Sequence, residues 1–206
     1  MKIKAKIKTM QNIWDTRYAQ EEYIYGKEAN TFLKEQIALL PVGKVLFPAE
    51  GEGRNAVYAA KKGWEVSAFD SSFEAKNKAL KLALENKVQI KYDLVDWEDA
   101  QYKDNSFDLI VLIYAHPTNR QVKHQKLLSF LKPGGVILLE GFTKAQIKNT
   151  TGGPKSLDLL FSKEEIQADF AQLKEIKSWE ESIFLSEGEL HKGKASVIRM
   201  IGKKEQ

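Results

Sequence analysis

Short apolar runs alternate with segments of helical periodicity between residues 44 and 139, and this alternation constrains the fold most. The runs predict strands at Lys44–Phe47, Trp64–Phe69, Val88–Tyr92, Phe107–Tyr114 and Val136–Leu139. The intervening segments predict helices at Arg54–Lys62, Phe73–Asn86 and about Asn119–Leu131. Strands joined through helices form right-handed βαβ units, which build a parallel sheet with helices on both faces.

The chain after residue 160 follows a different pattern. Ser162 and Glu165 have the spacing of a capping box, which predicts a helix from Ser162 to Leu173. Two strands follow, at Ile176–Leu185 and Ala195–Ile201, joined by a polar turn around residues 188–193. With no helix between them they should pair antiparallel. The predicted fold is an α/β, Rossmann-like, doubly wound mixed sheet of seven strands with an antiparallel C-terminal hairpin.

The 206 residues fit a single domain. Residues 1–40 precede the sheet as a helical, aromatic-rich segment, in which Asn30 or Thr31 could cap a helix to Leu40, and residues 41–206 form the main domain. The absence of cysteine excludes disulfides, thiolate metal sites and a cysteine nucleophile. It also suits a reducing compartment, so a cytoplasmic location is expected.

The charge pattern argues against two classes of partner. The net charge of +4 is a slight excess of 32 basic over 28 acidic residues, and the charges are interspersed, although lysines gather at the termini (Lys2, Lys4, Lys6, Lys8, Lys203 and Lys204). Nucleic-acid binding would favour a basic stripe instead. No apolar run approaches the roughly 18 residues of a membrane span. We therefore expect neither a nucleic-acid nor a membrane partner, and a monomer or homodimer.

A glycine-containing turn links the first predicted strand to the first helix. Its sequence, Ala49-Glu-Gly-Glu-Gly-Arg-Asn-Ala56, has the G-x-G-x-x-A spacing that brings backbone and helix N–H groups close to a ligand. Asp70 ends the second strand 19 positions after Gly51, where an acid can bind both ribose hydroxyls. Asp96 and Trp97 follow the third strand and are placed to hold an adenine, although Trp97 could equally be a core residue. This pattern alone suits a dinucleotide or an S-adenosyl cofactor.

Several segments make the interpretation more specific. Glu50-Gly-Glu-Gly-Arg-Asn55, Phe107-Asp-Leu-Ile110, Leu131-Lys-Pro-Gly-Gly135 and Leu139-Glu-Gly141 resemble the class I S-adenosylmethionine-dependent methyltransferases. Tyr23-Ile-Tyr-Gly-Lys-Glu-Ala-Asn30, Thr151-Gly-Gly-Pro154 and Glu187-Gly-Glu-Leu-His191 resemble the tellurite-resistance and thiopurine methyltransferase branch. The resemblance covers roughly residues 14 to 201. It implies S-adenosylmethionine as cofactor and a small-molecule methyl acceptor.

The cofactor-binding residues predicted on this basis are Tyr18, Glu50, Gly51, Gly53, Arg54, Asn55, Asp70, Ser71, Asp96 and Trp97. The loop departs from the wider class, since Phe47 and Ala49 stand where most members have an acid and a glycine. That acid anchors the methionine end of the cofactor in the class. Glu50 or Glu52 are the candidates to replace it.

The residues predicted on the substrate side follow the fourth strand and the hairpin turn. Tyr114, His116 and His191 are the catalytic candidates, because a histidine can orient or deprotonate an acceptor. Both histidines also have a structural interpretation, as hydrogen-bonded or surface residues. His124 is predicted on a helix surface, and no spacing indicates a metal site. Arg120 beside His116 is a substrate-binding candidate.

The aromatic stretch from Trp14 to Tyr25 has two interpretations. It is either a lid that dries the site, with Arg17 and Tyr25 binding substrate, or an amphipathic helix on the sheet edge. The resemblance favours the lid.

The leading hypothesis is a methyltransferase that acts on a thiol, a chalcogen oxyanion or a xenobiotic. A non-catalytic binding module with the same fold and an NAD(P)-dependent oxidoreductase remain as alternatives.

Overall fold

The computed structural model describes residues 14–188 and 190–206, so the predictions on the N-terminal lysines and on residues 1–13 lie outside the described residues. Within them the chain forms one sheet in the order β3-β2-β1-β4-β5-β7-β6. The strands are β1 Lys44–Pro48, β2 Glu65–Asp70, β3 Lys91–Leu94, β4 Phe107–Ile113, β5 Leu131–Phe142, β6 Glu175–Glu187 and β7 His191–Lys203. Strands β1 to β5 are parallel, and β7 is antiparallel to both β5 and β6. The predicted seven-stranded mixed sheet with its C-terminal hairpin is confirmed.

Helices cover both faces of this sheet. They are α1 (residues 14–18), α2 Thr31–Ile37, α3 Arg54–Lys61, α4 Phe73–Glu85, α5 Arg120–Phe130 and α6 Lys163–Asp169. Alternate side chains of each strand enter opposite cores. In β1, Leu46 joins the core under α5 and α6, whereas Val45 and Phe47 join the core under α2, α3 and α4. The two cores leave the carboxyl ends of β1, β2 and β4 together at one edge of the sheet.

Some predicted boundaries are wrong. Strand β3 begins at Lys91 rather than Val88, because Lys87 adopts φ 58° and turns the chain first. Strand β5 begins at Leu131, where we predicted the end of a helix, because Leu131 pairs with Phe107 of β4. Helix α6 ends at Asp169 instead of Leu173. The capping box of Ser162 and Glu165 and the Asn30 cap of α2 are confirmed.

The prediction that His124 lies on a helix surface is also wrong. Its side chain is fully buried between α5 and α6, where Nδ1 lies 2.8 Å from Asp169 Oδ2 and the ring stacks on Phe170. The sequence of α5 is only weakly amphipathic, so it does not show that this face is buried, whereas the packing of α6 against α5 does.

Candidate active site

The loop between β1 and α3 is built on three residues with positive φ: Ala49 (50°), Gly51 (67°) and Gly53 (88°). The two glycines are needed for packing as well as for conformation. A Cβ on Gly53 would clash with Ala79 of α4, and a Cβ on Gly51 would lie 2.9 Å from the Tyr18 hydroxyl oxygen. The glycine spacing that predicted a ligand loop therefore also permits α4 and the N-terminal segment to close on that loop.

Glu50 caps the helix that the loop begins. Its Oε1 accepts hydrogen bonds from the backbone N–H groups of Asn55 (2.9 Å) and Ala56 (2.8 Å), at the positive end of α3. Burial nevertheless outweighs these bonds and raises the pKa of Glu50 from 4.5 to about 7. Phe47, at the position of the usual acid, is fully buried in the core under α2, α3 and α4.

The raised pKa of Glu50 predicts a specific pH dependence of stability. Because the folded state holds this proton up to about pH 7 and the unfolded state only to 4.5, the stabilisation is complete below pH 4.5 and is lost as the pH rises through 7. Glu50→Gln keeps the cap but cannot titrate. Between pH 5 and pH 8 we therefore expect its free energy of unfolding to fall by about 2 kcal/mol less than that of the wild type. Urea unfolding of both proteins at pH 5 and pH 8 measures it; parallel free-energy profiles would contradict the prediction.

Asp70 joins this loop to the end of β2. Its Oδ2 accepts from Gly51 N (3.0 Å) and its Oδ1 from Ser72 N (2.9 Å). Burial raises the pKa of Asp70 to about 6 despite these bonds. Each carboxylate oxygen keeps a second lone pair, so Asp70 can still accept hydrogen bonds from a ribose. Ser71 is the half-buried residue between Asp70 and the cap of α4.

Asp96 and Trp97 follow β3 at the same sheet edge. Asp96 Oδ1 accepts from the backbone N–H of Trp97 (2.7 Å), and the indole packs edge-on against Phe69 at 5.4 Å. Trp97 thus contributes to the core while remaining half-buried. Its position fits both interpretations given above.

The N-terminal aromatic residues pack on the glycine loop. Tyr18 is buried, stacks on Trp14 at 5.7 Å and meets Tyr25 edge-on at 6.4 Å. Arg17 lies over the Trp14 ring and donates from Nη1 to the Tyr25 hydroxyl at 3.3 Å. Asp15 Oδ1 accepts from the Ser72 hydroxyl at 2.6 Å and so fixes α1 to the beginning of α4.

Lys78 of α4 binds the same N-terminal segment, a contact that the sequence did not predict. Its Nζ donates to the carbonyl oxygens of three alternate residues, Tyr18 (3.3 Å), Gln20 (2.8 Å) and Glu22 (2.6 Å). The ammonium group also pairs with Glu52, whose other oxygen lies 3.4 Å from Tyr25 N. Lys78 therefore connects α4, the glycine loop and the N-terminal segment.

We expect Lys78→Met to loosen residues 18–25 and to lower the free energy of unfolding by about 2–4 kcal/mol, since a buried carboxylate loses its partner. Hydrogen exchange at these amides measures the loosening. The control is Lys81→Met on the exposed side of the same helix. Equal exchange in the two variants would contradict the role assigned to Lys78.

A buried polar network lies beyond the loop, at the ends of β4 and β5. Glu140 Oε1 accepts from Asn30 Nδ2 (2.7 Å) and from the Tyr114 hydroxyl (2.6 Å), and Arg199 pairs with Oε2. Burial and the Glu140 charge raise the pKa of Tyr114 well above its ordinary value. Tyr114 also has φ 53°, a strained conformation typical of functional sites.

His191 and His116 occupy different environments. The buried His191 ring contacts Tyr25 (4.6 Å), Tyr114 (4.8 Å) and Phe142 (5.5 Å). His116 Nδ1 lies 2.7 Å from the Leu159 carbonyl oxygen, and Nε2 accepts from Phe142 N at 3.1 Å.

Both ring nitrogens of His116 are thus occupied by backbone groups, and burial lowers its pKa to about 4. This geometry favours the structural interpretation of His116 over the catalytic one. Arg120 is likewise engaged: its Nε donates to Asp169 and its Nη1 lies 3.6 Å from Glu165. The fold holds Arg120 between α5 and α6, so a substrate would have to compete with these carboxylates.

Two of the three segments predicted from the tellurite-resistance and thiopurine resemblance contact Arg54, and the third contacts His191. Arg54 Nη1 donates to the Tyr25 (3.2 Å) and Glu28 (3.3 Å) carbonyl oxygens, and Arg54 Nη2 to Glu187 (2.9 Å). Asn55 Oδ1 accepts from Asn30 N at 3.0 Å. A Cβ on Gly188 would clash with the Ile24 carbonyl, and one on Gly152 would clash with His191. The glycine loop and the described residues of these three segments thus lie against one another.

Among residues 14–188 and 190–206, no cluster of three or more histidine, aspartate or glutamate side chains is arranged to hold a metal ion. The described helices include none that is long and apolar enough to cross a membrane.

The comparison with known families agrees with this geometry. Residues 45–135, from β1 to the turn inside β5, match the family model of a methyltransferase domain. The seven-stranded sheet and its order match solved methyltransferase structures over most of the chain. Residues 45–135 are thus similar to a methyltransferase domain, and the chain as a whole has the Rossmann-like fold of solved methyltransferase structures.

Individual relatives are distant. Phosphoethanolamine N-methyltransferases 1 and 3 of Arabidopsis thaliana are 28% and 26% identical over 123 residues, which is 58% of this chain. The chain spans about a quarter of the length of these curated relatives, since the match covers 25% of each.

Solved structures share the fold at low sequence identity. A structure described with the conversion of a disulfide bond into a thioacetal group during echinomycin biosynthesis superimposes with a TM-score of 0.74 at 16% identity, over 95% of this chain and 93% of that one. TehB from Haemophilus influenzae gives 0.68 at 15% identity, over 95% of this chain and 67% of that one. The Haemonchus contortus phosphoethanolamine N-methyltransferase 2 gives 0.65 at 15% identity, over 85% and 52%.

Proposed function

We propose that the chain is an S-adenosylmethionine-dependent methyltransferase that acts on a small molecule. The observation that carries the proposal is the contact between Asp70, at the end of β2, and Gly51 of the glycine loop, inside the segment that matches a methyltransferase domain. An acid at this point of an open parallel sheet is placed to bind a ribose. Glu50, Arg54, Asn55, Ser71, Asp96, Trp97 and Tyr18 surround it as further cofactor contacts.

The residues around the glycine loop fit this cofactor. Asp70 is buried and keeps free lone pairs, and Glu50 and Glu52 are the carboxyl groups of the glycine loop that would hold a methionine amino group. When bound, S-adenosylmethionine supplies a methyl group on a sulfonium, which a nucleophile displaces in line. The residues of the chain would align the acceptor, exclude water and accept the proton that the acceptor loses.

Of the three catalytic candidates, the geometry favours His191 for proton transfer. The Tyr114 hydroxyl donates a hydrogen bond to Glu140 and stays protonated, since its pKa is raised. His116 has both nitrogens engaged. Aromatic rings, that of Tyr25 among them, surround His191. Tyr25 and Arg17 would line the side on which an acceptor enters. We assign residues 14–30 to a lid that closes over the cofactor.

For the acceptor, we favour a soft nucleophile such as a thiol or a chalcogen oxyanion, or a xenobiotic, as in the tellurite-resistance and thiopurine branch. The support is the convergence of the three branch-like segments on Arg54 and His191. The phosphoethanolamine enzymes among the relatives make an amine the competing acceptor class.

Two measurements test the proposal. Isothermal titration with S-adenosylhomocysteine should give micromolar binding, and no heat at millimolar ligand would overturn the cofactor assignment. A panel of thiols, selenite, tellurite and phosphoethanolamine with labelled S-adenosylmethionine then tests the acceptor class. Turnover of phosphoethanolamine alone would overturn the soft-nucleophile assignment.

A non-catalytic module is the second candidate, because Glu50 already fills the N-terminus of α3. This candidate predicts no binding of S-adenosylhomocysteine. A larger thermal shift with NADH than with S-adenosylhomocysteine would instead favour an oxidoreductase.

A further inference from the structure

Glu187 connects the cofactor loop to His191, and no sequence motif assigned it a role. It is the last residue of β6 and pairs in register with His191, the first residue of β7. Its Oε2 lies 2.9 Å from Arg54 Nη2 and 3.4 Å from His191 Nδ1. The side chains of Arg54, Glu187 and His191 are only 7%, 15% and 5% exposed, so their contacts are little screened by water.

The charges in this chain of contacts fix where the proton lies. Burial alone would raise the pKa of Glu187, but His191 and Arg54 outweigh it and lower that pKa, so Glu187 is a carboxylate. Burial lowers the pKa of His191, so its imidazole is neutral at neutral pH. A carboxylate only accepts hydrogen bonds, and therefore the neutral ring carries its proton on Nδ1 and its lone pair on Nε2.

The surroundings of the ring leave Nε2 as the working atom. Tyr25 and Tyr114 pack against the ring at 4.6 and 4.8 Å, which prevents a flip. Gly152 lies beside Nε2, and a Cβ there would stand 3.0 Å from it. A residue without a side chain at this position keeps Nε2 uncovered.

We propose that Glu187 is a positioning residue that holds His191 in the Nδ1–H tautomer, with Nε2 free to take the acceptor's proton. Arg54 fixes Glu187 in turn, so the arrangement of the cofactor loop sets the orientation of the histidine. The use of Nε2 in methyl transfer rests on the proposed function. The tautomer itself does not.

Nitrogen-15 NMR of the imidazole rings tests the tautomer in the full chain. In the wild type we expect the His191 signals of an Nδ1–H ring, assigned by comparison with His191→Asn. In Glu187→Gln the pKa of His191 should fall further, by about one pH unit, because the carboxylate that favours the imidazolium is gone. The control is Glu180→Gln, an exposed carboxylate on the same strand.

The outcomes separate this proposal from the proposed function. An Nε2–H signal for wild-type His191, or the same pKa and tautomer in Glu187→Gln, would overturn the role of Glu187, whether or not the chain transfers methyl groups. If the chain turns over an acceptor, kcat/KM of Glu187→Gln should fall about 10-fold or more at neutral pH, where the ring is neutral in both proteins and the variant ring is the weaker, less oriented base, while binding of S-adenosylhomocysteine changes little. A changed tautomer without any turnover in the wild type would refute the proposed function alone.

Discussion

Asp70→Ala is expected to weaken binding of S-adenosylhomocysteine by about 10- to 100-fold, since hydrogen bonds to a charged group contribute about 1.5–3 kcal/mol. The loss has two sources in the structure. The variant lacks the acceptor for a ribose, and Gly51 N loses the carboxylate that holds the glycine loop in place. Isothermal titration measures the affinity directly.

The matched control for this change is Asp99→Ala, an exposed acid just after β3 at the same edge of the sheet. It should bind S-adenosylhomocysteine as the wild type does. Asp70→Asn, which keeps one acceptor oxygen, should fall between the two. An Asp70→Ala protein with wild-type affinity would rule out Asp70 as the ribose partner.

Arg199→Met is expected to lower the free energy of unfolding by about 3–5 kcal/mol, because it leaves a buried charge without its partner. The Glu140 side chain is fully buried, and Arg199 is the cation that neutralises it across β5 and β7. Asn30 and Tyr114 donate hydrogen bonds to Glu140 but carry no charge. Urea unfolding monitored by tryptophan fluorescence gives the change.

Lys203→Met, at the exposed end of the same strand, serves as control and should change stability by less than about 0.5 kcal/mol. Glu140→Gln combined with Arg199→Met should recover part of the loss, because the pair is then removed together. If Arg199→Met costs no more than Lys203→Met, Glu140 does not depend on Arg199 for its stability.

The sequence was sufficient for the fold because the information that determines it is local. Periodicity separates the strands from the helices, and the spacing from Gly51 to Asp70 follows from one strand–helix–strand unit, so their contact could be anticipated. The capping box at Ser162 is likewise a property of four adjacent residues. These features depend on few tertiary contacts.

The parts that the sequence could not supply depend on pairings between distant residues. Nothing near Glu140 indicates that Arg199, 59 positions later, will neutralise it. His124 is buried against α6, where the Asp169 carboxylate lies within hydrogen-bond distance of its ring. Lys78 resembles any lysine on an exposed helix until the carbonyl groups of residues 18, 20 and 22 are placed above it.

The position of β7 has a consequence for how the chain is made. This last strand lies between β5 and β6, so the sheet cannot be completed until residues 191–203 have left the ribosome. Until then β5 has an unpaired, apolar edge, and the Glu140 side chain lacks the Arg199 guanidinium that pairs with it in the folded chain. Such long-range closure is slow, and a nascent chain in this state is exposed to aggregation. A stalled or truncated product that lacks β7 should therefore depend on chaperones and be degraded rapidly.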